Sequence, residues 1–214
     1  MSYETSIDMS DFLDVIKDRR SIRKYKQELV PQEVFQRILE TVIYAPSAHN
    51  AQPWRFIIMT ELERKEALAK AMADVWLDEL KRDNVPKNVM RKALANSIKR
   101  FTSAPMIIIC CLTMEDMDAY PDEERKNCER DLAVQSLAAA IQNLLLAAHS
   151  EGLGACWFCA PIFCKTVIRQ VLKIPETVEP QALITVGYPA EKPAFPERYS
   201  LGTVAFHNQW GNPL

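Results

Sequence analysis

Apolar positions first recur at three- and four-residue spacing in Phe12, Leu13 and Ile16, which predicts a short helix over 11–18 capped by Ser10. The same spacing in Val34, Ile38, Leu39 and Val42 predicts a second helix over 31–44. Pro31 opens it, because its fixed φ suits a first helical turn. Residues 54–59 form a short β-rich run. Residues 62–80 and 89–100 are charged and amphipathic, which predicts two exposed helices. The continuous apolar run 106–112, rich in isoleucine, predicts a strand buried on both faces, and 182–187 predicts another. Residues 122–149 read as one long helix. Within it only Gln142 and Asn143 interrupt the apolar stretch 137–148, so protein must enclose it, from an internal core or from a second subunit. Residues 161–172 are a further helix candidate. The tail 192–214 holds Pro193, Pro196 and Pro213 and reads as an extended arm lying on something. Strands scattered among long helices, without βαβ alternation, predict an α+β fold. No repeat or linker divides the chain, so 1–214 is expected to form one domain.

Composition narrows the function. The chain has 214 residues, 48% hydrophobic and 25% charged, with 26 Lys and Arg against 28 Asp and Glu. A net charge of −2 argues against nucleic acid as a partner. The longest uninterrupted apolar runs, 104–112 and 152–164, fall short of the ~20 residues a membrane helix needs, so no membrane partner is expected. Residues 1–18 are acidic and polar, unlike a secretory signal, and a cytoplasmic protein is expected. Only 5 glycines occur, against a typical ~7% of residues, and no phosphate-cradling loop can be written with them. An anionic ligand must therefore be held mainly by side chains. The 6 cysteines are expected to be reduced and mostly buried. Cys156, Cys159 and Cys164 lack a fourth ligand at matching spacing, and no metal site is expected there.

Four segments can carry chemistry. Arg19-Arg20-Ser21-Ile22-Arg23-Lys24-Tyr25 concentrates cations that bind phosphate through guanidinium forks. If extended, Arg19, Ser21 and Arg23 fall on one side and Arg20, Ile22 and Lys24 on the other. A solvated basic helix end fits the same residues. In Ala45–Phe56 two prolines bracket Ser47, Ala48, His49, Asn50 and Gln52, a stiff polar loop able to meet a ring, or simply a connection that caps the preceding helix. Gly152 and Gly154 precede Cys156, Cys159 and Ala160. They permit a flat ligand to lie against main chain, while Gly152 alone also serves as a helix terminator. Arg198 stands in the arm beside Glu197.

In this order the four segments resemble the FMN-dependent nitroreductase superfamily over nearly the whole chain. The resemblance implies a nitroreductase-like α+β fold, with a mostly antiparallel central sheet, in an intertwined homodimer with an extended C-terminal arm. It implies two FMN sites drawing residues from both subunits. Arg19, Ser21 and Arg23, with Arg20, match the phosphate and ribityl ligands, and Arg23 also the pyrimidine edge. Pro46, Ser47, Ala48 and Asn50, with Gln52, match the loop that meets the flavin from the partner subunit. Cys159 and Ala160 match the turn whose backbone N–H faces the hydride-accepting nitrogen, and Arg198 the residue that closes on the phosphate. Many members carry Glu-Gly where this chain has Cys159-Ala160, and a second cation at Glu197.

The implied activity is ping-pong hydride transfer from NADH, NADPH or a reduced deazaflavin to a small acceptor such as a nitroaromatic, quinone or enone. The flavin does the chemistry, and no residue, His49 included, is committed as a protein catalyst. The run 47–56, Tyr120-Pro121-Asp122, 142–145 and 152–157 are also similar to the flavin domain fused to the deazaflavin coenzyme glutamyl ligase. That likeness implies an alternative, reduction of a dehydro precursor of the coenzyme. A flavin-binding or flavin-consuming protein without turnover is a third.

Overall fold

A computed structural model describes residues 9–214. The expectations for residues 1–8 lie outside them, as do the side chains of residues 9–11. Four strands, β1 (Trp54–Met59), β2 (Met106–Thr113), β3 (Gly154–Phe158) and β4 (Val178–Gly187), form one sheet in the order β1-β2-β4-β3. Every neighbouring pair is antiparallel, which is the expected α+β class. Among the described residues there are seven α-helices: α1 (Met9–Asp18), α2 (Gln32–Val42), α3 (Leu62–Arg82), α4 (Lys87–Thr102), α5 (Glu123–Ser150), α6 (Lys165–Leu172) and α7 (Leu201–Val204).

The two-residue period of β2 builds a core on each side. Ile108, Cys110 and Leu112 pack with Ile38 and Val42 of α2 and with Leu137, Ile141 and Leu144 of α5. Ile107, Ile109 and Cys111 pack with Leu68 and Met72 of α3, Phe101 of α4 and Ile168 of α6. All eight residues of β2 are buried, and each fully buried isoleucine stabilises the fold by about 1.5–3 kcal/mol. A continuous apolar run is the pattern of a strand covered on both faces.

Several boundaries move. Pro31 sits just before α2, with ψ 144, rather than inside its first turn. Ser10 lies inside α1, which begins at Met9. The helix expected over 161–172 is broken. A 3-10 turn over Ala160–Phe163 ends at Cys164, whose φ of −139 is not helical, and α6 starts afterwards. Strand β4 starts four residues before the expected 182 because a bulge absorbs Pro180. Cys110 pairs with Ala182 and Cys111 with Pro180, leaving Gln181 as the extra residue. Strand β3 was not expected from the sequence.

Helix α5 starts where Asp122 accepts the Arg125 N–H at 3.0 Å. Its end is the glycine stop: Gly152, at φ +75, donates to His149 O at 3.0 Å and Leu153 to Ala148 O at 2.8 Å. By length and hydropathy this helix could cross a membrane, yet its stripe Ala133, Leu137, Ala140, Ile141 and Leu144 is buried against the protein's own sheet. The other flank, with Ala138, Ala139, Leu146 and Ala147, is only half covered.

Glu179 ties three elements together. Its Oε1 accepts Arg130 Nη2 of α5 at 2.6 Å, Lys165 Nζ of α6 and Gln181 Nε2. Burial raises its pKa, but the bonds from Lys165 and Arg130 outweigh that and hold the carboxyl below its ordinary value. A carboxyl with a depressed folded pKa stabilises fully above the unfolded value of ~4.3 and loses that contribution as pH falls through the folded value. Glu179→Gln is therefore expected to lower stability by about 1–3 kcal/mol at pH 7. Thermal unfolding of both proteins from pH 7 to pH 3 should bring the two curves together at the acid end. A constant gap would contradict this.

Candidate functional site

The segment Arg19–Tyr25 is extended and lies along the free edge of β3. Ser21 bridges Ala155 in parallel, and Tyr25 bridges Pro189. Ile22 N–H donates to Ala155 O at 3.0 Å, Lys26 N–H to Tyr188 O at 2.9 Å, and Ala190 N–H to Lys24 O at 2.9 Å. Glu191 takes the next donors, with Oε1 accepting Arg23 N–H at 2.7 Å and Lys24 N–H at 3.1 Å. Tyr25 locks the end: buried, it donates to Ile22 O and lies 2.6 Å from Thr185 Oγ1. Burial pushes its phenol well above the ordinary range. A Cβ at Gly154 would lie 2.6 Å from Ile22 Cγ1. The close approach that this glycine permits is thus to the chain's own strap, not to a ligand.

Extension separates the side chains as the period of two requires. Arg19 is held below its ordinary pKa by burial, then by the positive charges of Arg20 and Arg198, while Cys156 offsets them. Burial raises the Cys156 thiol, and Arg23, the Ser21 hydroxyl, Arg100 and Arg19 act against it. Arg19, Ser21, Arg23 and Arg100 thus all act on Cys156, and Arg198 acts on Arg19. The arm brings Arg198 here although it is 179 positions beyond Arg19 in the chain. Arg20 departs from its expected role. It lies on the other side, 3.4 Å over the Phe195 ring, and Nη1 donates to Lys17 O at 2.5 Å and Arg19 O at 2.7 Å.

The second group sits elsewhere. The loop 46–52 packs on α5, with Ala48 N–H donating to Ser136 Oγ at 3.1 Å and Gln52 N–H to Ser47 Oγ at 3.1 Å. Ser47 thus closes the loop itself rather than capping α2. His49, Asn50 and Gln52 have φ of 55, 54 and 47. Three left-handed residues in so short a span cost about 1–3 kcal/mol each, and such strain collects at functional sites. Pro46, His49, Asn50 and Gln52 are exposed, while Ser47 and Ala48 are half-buried. The loop leads into β1 at one edge of the sheet, whereas the arginine strap lies outside β3 at the other. Three strand spacings separate those edges, roughly 14 Å. The groups also sit at opposite ends of the strands: Trp54 pairs with Leu112, but Ala155 pairs with Val186, which pairs with Met106. One chain does not bring the loop and the arginines together.

Cys159 and Ala160 follow β3 on the arginine side of the molecule. Cys159 is exposed, and Ala160 borders a cleft of about 420 Å³ between α3, α4 and the end of β3. Its walls include Trp76, Phe101, Phe158 and Phe163, with Arg100 and Glu79 as polar groups. Arg100 lies 5.6 Å from the Phe158 ring centre, so one guanidinium joins the cleft to the basic cluster. This chemistry suits a flat, partly polar molecule. Sequence reasoning missed Tyr25, Glu191, Arg100 and Phe158. Tyr25 stood in the basic motif and Phe158 beside Cys159 in the glycine-led segment, where it reads as core; nothing in the sequence singled out the other two.

Comparisons with known proteins bear on the fold. The model described as the nitroreductase family matches residues 16–188. A protein of Methanothermobacter thermautotrophicus, provisionally named an NADH dehydrogenase/NAD(P)H nitroreductase, is 35% identical over 187 residues, 86% of this chain and 80% of its own. A solved structure from Parabacteroides distasonis, with the same provisional name, is 27% identical at a TM-score of 0.69. That match covers 94% of this chain and 99% of that one. The NADPH:FMN oxidoreductase of Vibrio harveyi, solved with NAD+, shares the fold at a TM-score of 0.71 and 20% identity, covering 94% of this chain and 79% of its own.

Proposed function

The chain belongs to the nitroreductase family, and from that premise we propose that it is an FMN-dependent NAD(P)H oxidoreductase whose two flavin sites lie between two copies of the chain. The observation that carries the reading is the separation of the two groups. The arginine strap and the left-handed loop occupy opposite edges of one sheet, so a ligand that meets both takes one from each copy. Two features support a second copy. The α1 face of Phe12, Leu13 and Ile16 is 43–48% exposed, and in the arm Phe195, Tyr199, Leu201 and Trp210 are 67–87% exposed. Apolar area of this kind marks a contact surface.

The residues fit a mononucleotide. Arg19, Arg23 and Arg198 offer permanent positive charge to a phosphate dianion, and burial of Arg19 strengthens the attraction. Ser21 adds a hydroxyl donor, and the family resemblance gives Arg23 a second contact, with the pyrimidine edge of the ring. The Cys159–Ala160 backbone orients the ring beside the aromatic cleft, which excludes water and stacks a planar partner. When bound, the flavin supplies the two-electron chemistry, carrying hydride from reduced nicotinamide to a nitroaromatic, quinone or enone. Donor and acceptor use the same cleft in turn, a ping-pong order.

Reconstitution with FMN followed by anaerobic stopped-flow tests this. The expected result is one retained FMN per chain, bleached by NADH or NADPH and restored by a quinone. No retained flavin would overturn the reading. Bleaching by a reduced deazaflavin alone would favour reduction of a coenzyme precursor, whose support is the sequence likeness. Flavin that stays oxidised, or is destroyed, would mark a protein without turnover.

A further inference from the structure

Away from the arginines, three segments remote in sequence bring ionisable groups to one point. His49 belongs to the left-handed turn, Asp118 to the connection after β2, and Glu129 to the first half of α5. His49 Nε2 lies 3.4 Å from Glu129 Oε1 and 3.9 Å from Asp118 Oδ2, and one donor atom from each residue lies within 4.8 Å of the others. Glu129 is 5% exposed, and its Oε2 is buried without a hydrogen-bond partner. A buried carboxylate left unpaired is costly. One imidazole, even protonated, offers a single positive charge against two carboxylates.

We propose that His49, Asp118 and Glu129 form a binding site for one divalent cation of the zinc class. One imidazole nitrogen and two carboxylate oxygens suit zinc better than magnesium or calcium, which take oxygen ligands. Tetrahedral coordination with metal–ligand bonds of about 2.0–2.2 Å places ligand atoms about 3.3–3.5 Å apart. The His49–Glu129 separation of 3.4 Å already meets this, and Asp118, exposed and 3.9 Å from His49, moves inward to complete the set. Water takes the fourth position on the open side, where His49 and Asp118 are exposed. The cation neutralises Glu129 and pins the loop 46–52 to α5. Ser136, which receives Ala48 N–H, stands two helical turns beyond Glu129 on the same face, so the loop is held at two points. The site does not depend on the flavin reading.

Calorimetric titration of Zn²⁺ into the chelator-treated full chain, with and without FMN, tests the proposal alongside Asp118→Asn and Cys128→Ser/Cys159→Ser variants. Asp118 is exposed, so its replacement leaves folding intact. The expected result is one saturable Zn²⁺ per chain, with a raised melting temperature, weakened at least about tenfold by Asp118→Asn and untouched by the cysteine changes. Absence of saturable binding would overturn it, as would binding that Asp118→Asn leaves unchanged or that the cysteine changes abolish.

Discussion

Arg19→Ala is expected to weaken FMN binding by about 10- to 150-fold, whereas Arg20→Ala, one residue later, changes it by less than about threefold. The first figure follows from losing a charge-assisted hydrogen bond of about 1.5–3 kcal/mol. The second follows from placement, because substitutions outside a site usually stay within about 0.5 kcal/mol. Arg19 acts with Ser21 and Arg23 on the Cys156 thiol and feels the charge of Arg198, whereas the Arg20 guanidinium stacks over Phe195. Equilibrium titration of each variant with FMN, followed by flavin fluorescence, reads both. Equal losses would mean that net positive charge, rather than the placement of individual guanidinium groups, holds the flavin.

Gly154→Ala is expected to abolish tight FMN binding without touching a single ligating side chain. The added Cβ would meet Ile22 Cγ1, Cβ and Cγ2 at 2.6–2.8 Å, closer than real methyl contacts. Overpacking of this kind costs about 1–3 kcal/mol. Here the strain falls on the contact that holds the strap to β3 through the Ile22–Ala155 hydrogen bond. The strap carries Arg19, Ser21 and Arg23, so its displacement scatters three ligands together. Ile22→Ala alone leaves a void and destabilises by about 2–5 kcal/mol. Combined with Gly154→Ala it removes two of the three crowding carbons and leaves only Cβ at 2.7 Å, so part of the strain is relieved and the double variant is expected to be more stable than the two single losses added together. Thermal unfolding and FMN titration of the four proteins measure this. Strict additivity would show that Ile22 is not what Gly154 accommodates.

The parts of the fold legible in the sequence are those governed by local period. The buried strand β2 follows from its continuous apolar run, the span of β1 from its β-rich composition, and α5 from its long apolar stretch closed by Gly152. The alternation of the strap is legible too and, for an extended segment, sets Arg20 opposite Arg19, although the resemblance counts both among the flavin ligands. Strand β3 escaped because its glycines suggest a turn, and Gly154 is there for the packing of Ile22, a contact remote in sequence. The break at Cys164 interrupts a run with helical spacing and leaves no apolar signature. In the loop, the two prolines announced stiffness, but left-handed backbone at Gln52 is no common preference of that residue. Most of the site depends on strand order. The order β1-β2-β4-β3 places the loop and the strap at opposite edges, and it arises from pairings that no short window of sequence contains. The meeting of His49, Asp118 and Glu129 is of the same kind.

Subunit mixing tests the shared flavin site most directly. Arg19→Ala disables the strap, and Asn50→Asp alters the loop while keeping a residue tolerant of the left-handed conformation. Each variant alone is expected to bind FMN weakly. In a two-fold dimer that draws the strap from one chain and the loop from the other, a mixed dimer concentrates both lesions in one site and leaves the second intact. Mixing equal amounts under subunit exchange should therefore restore tight FMN binding to about a quarter of all sites. A mixture that binds no more flavin than the two variants kept apart would contradict a site built from two chains.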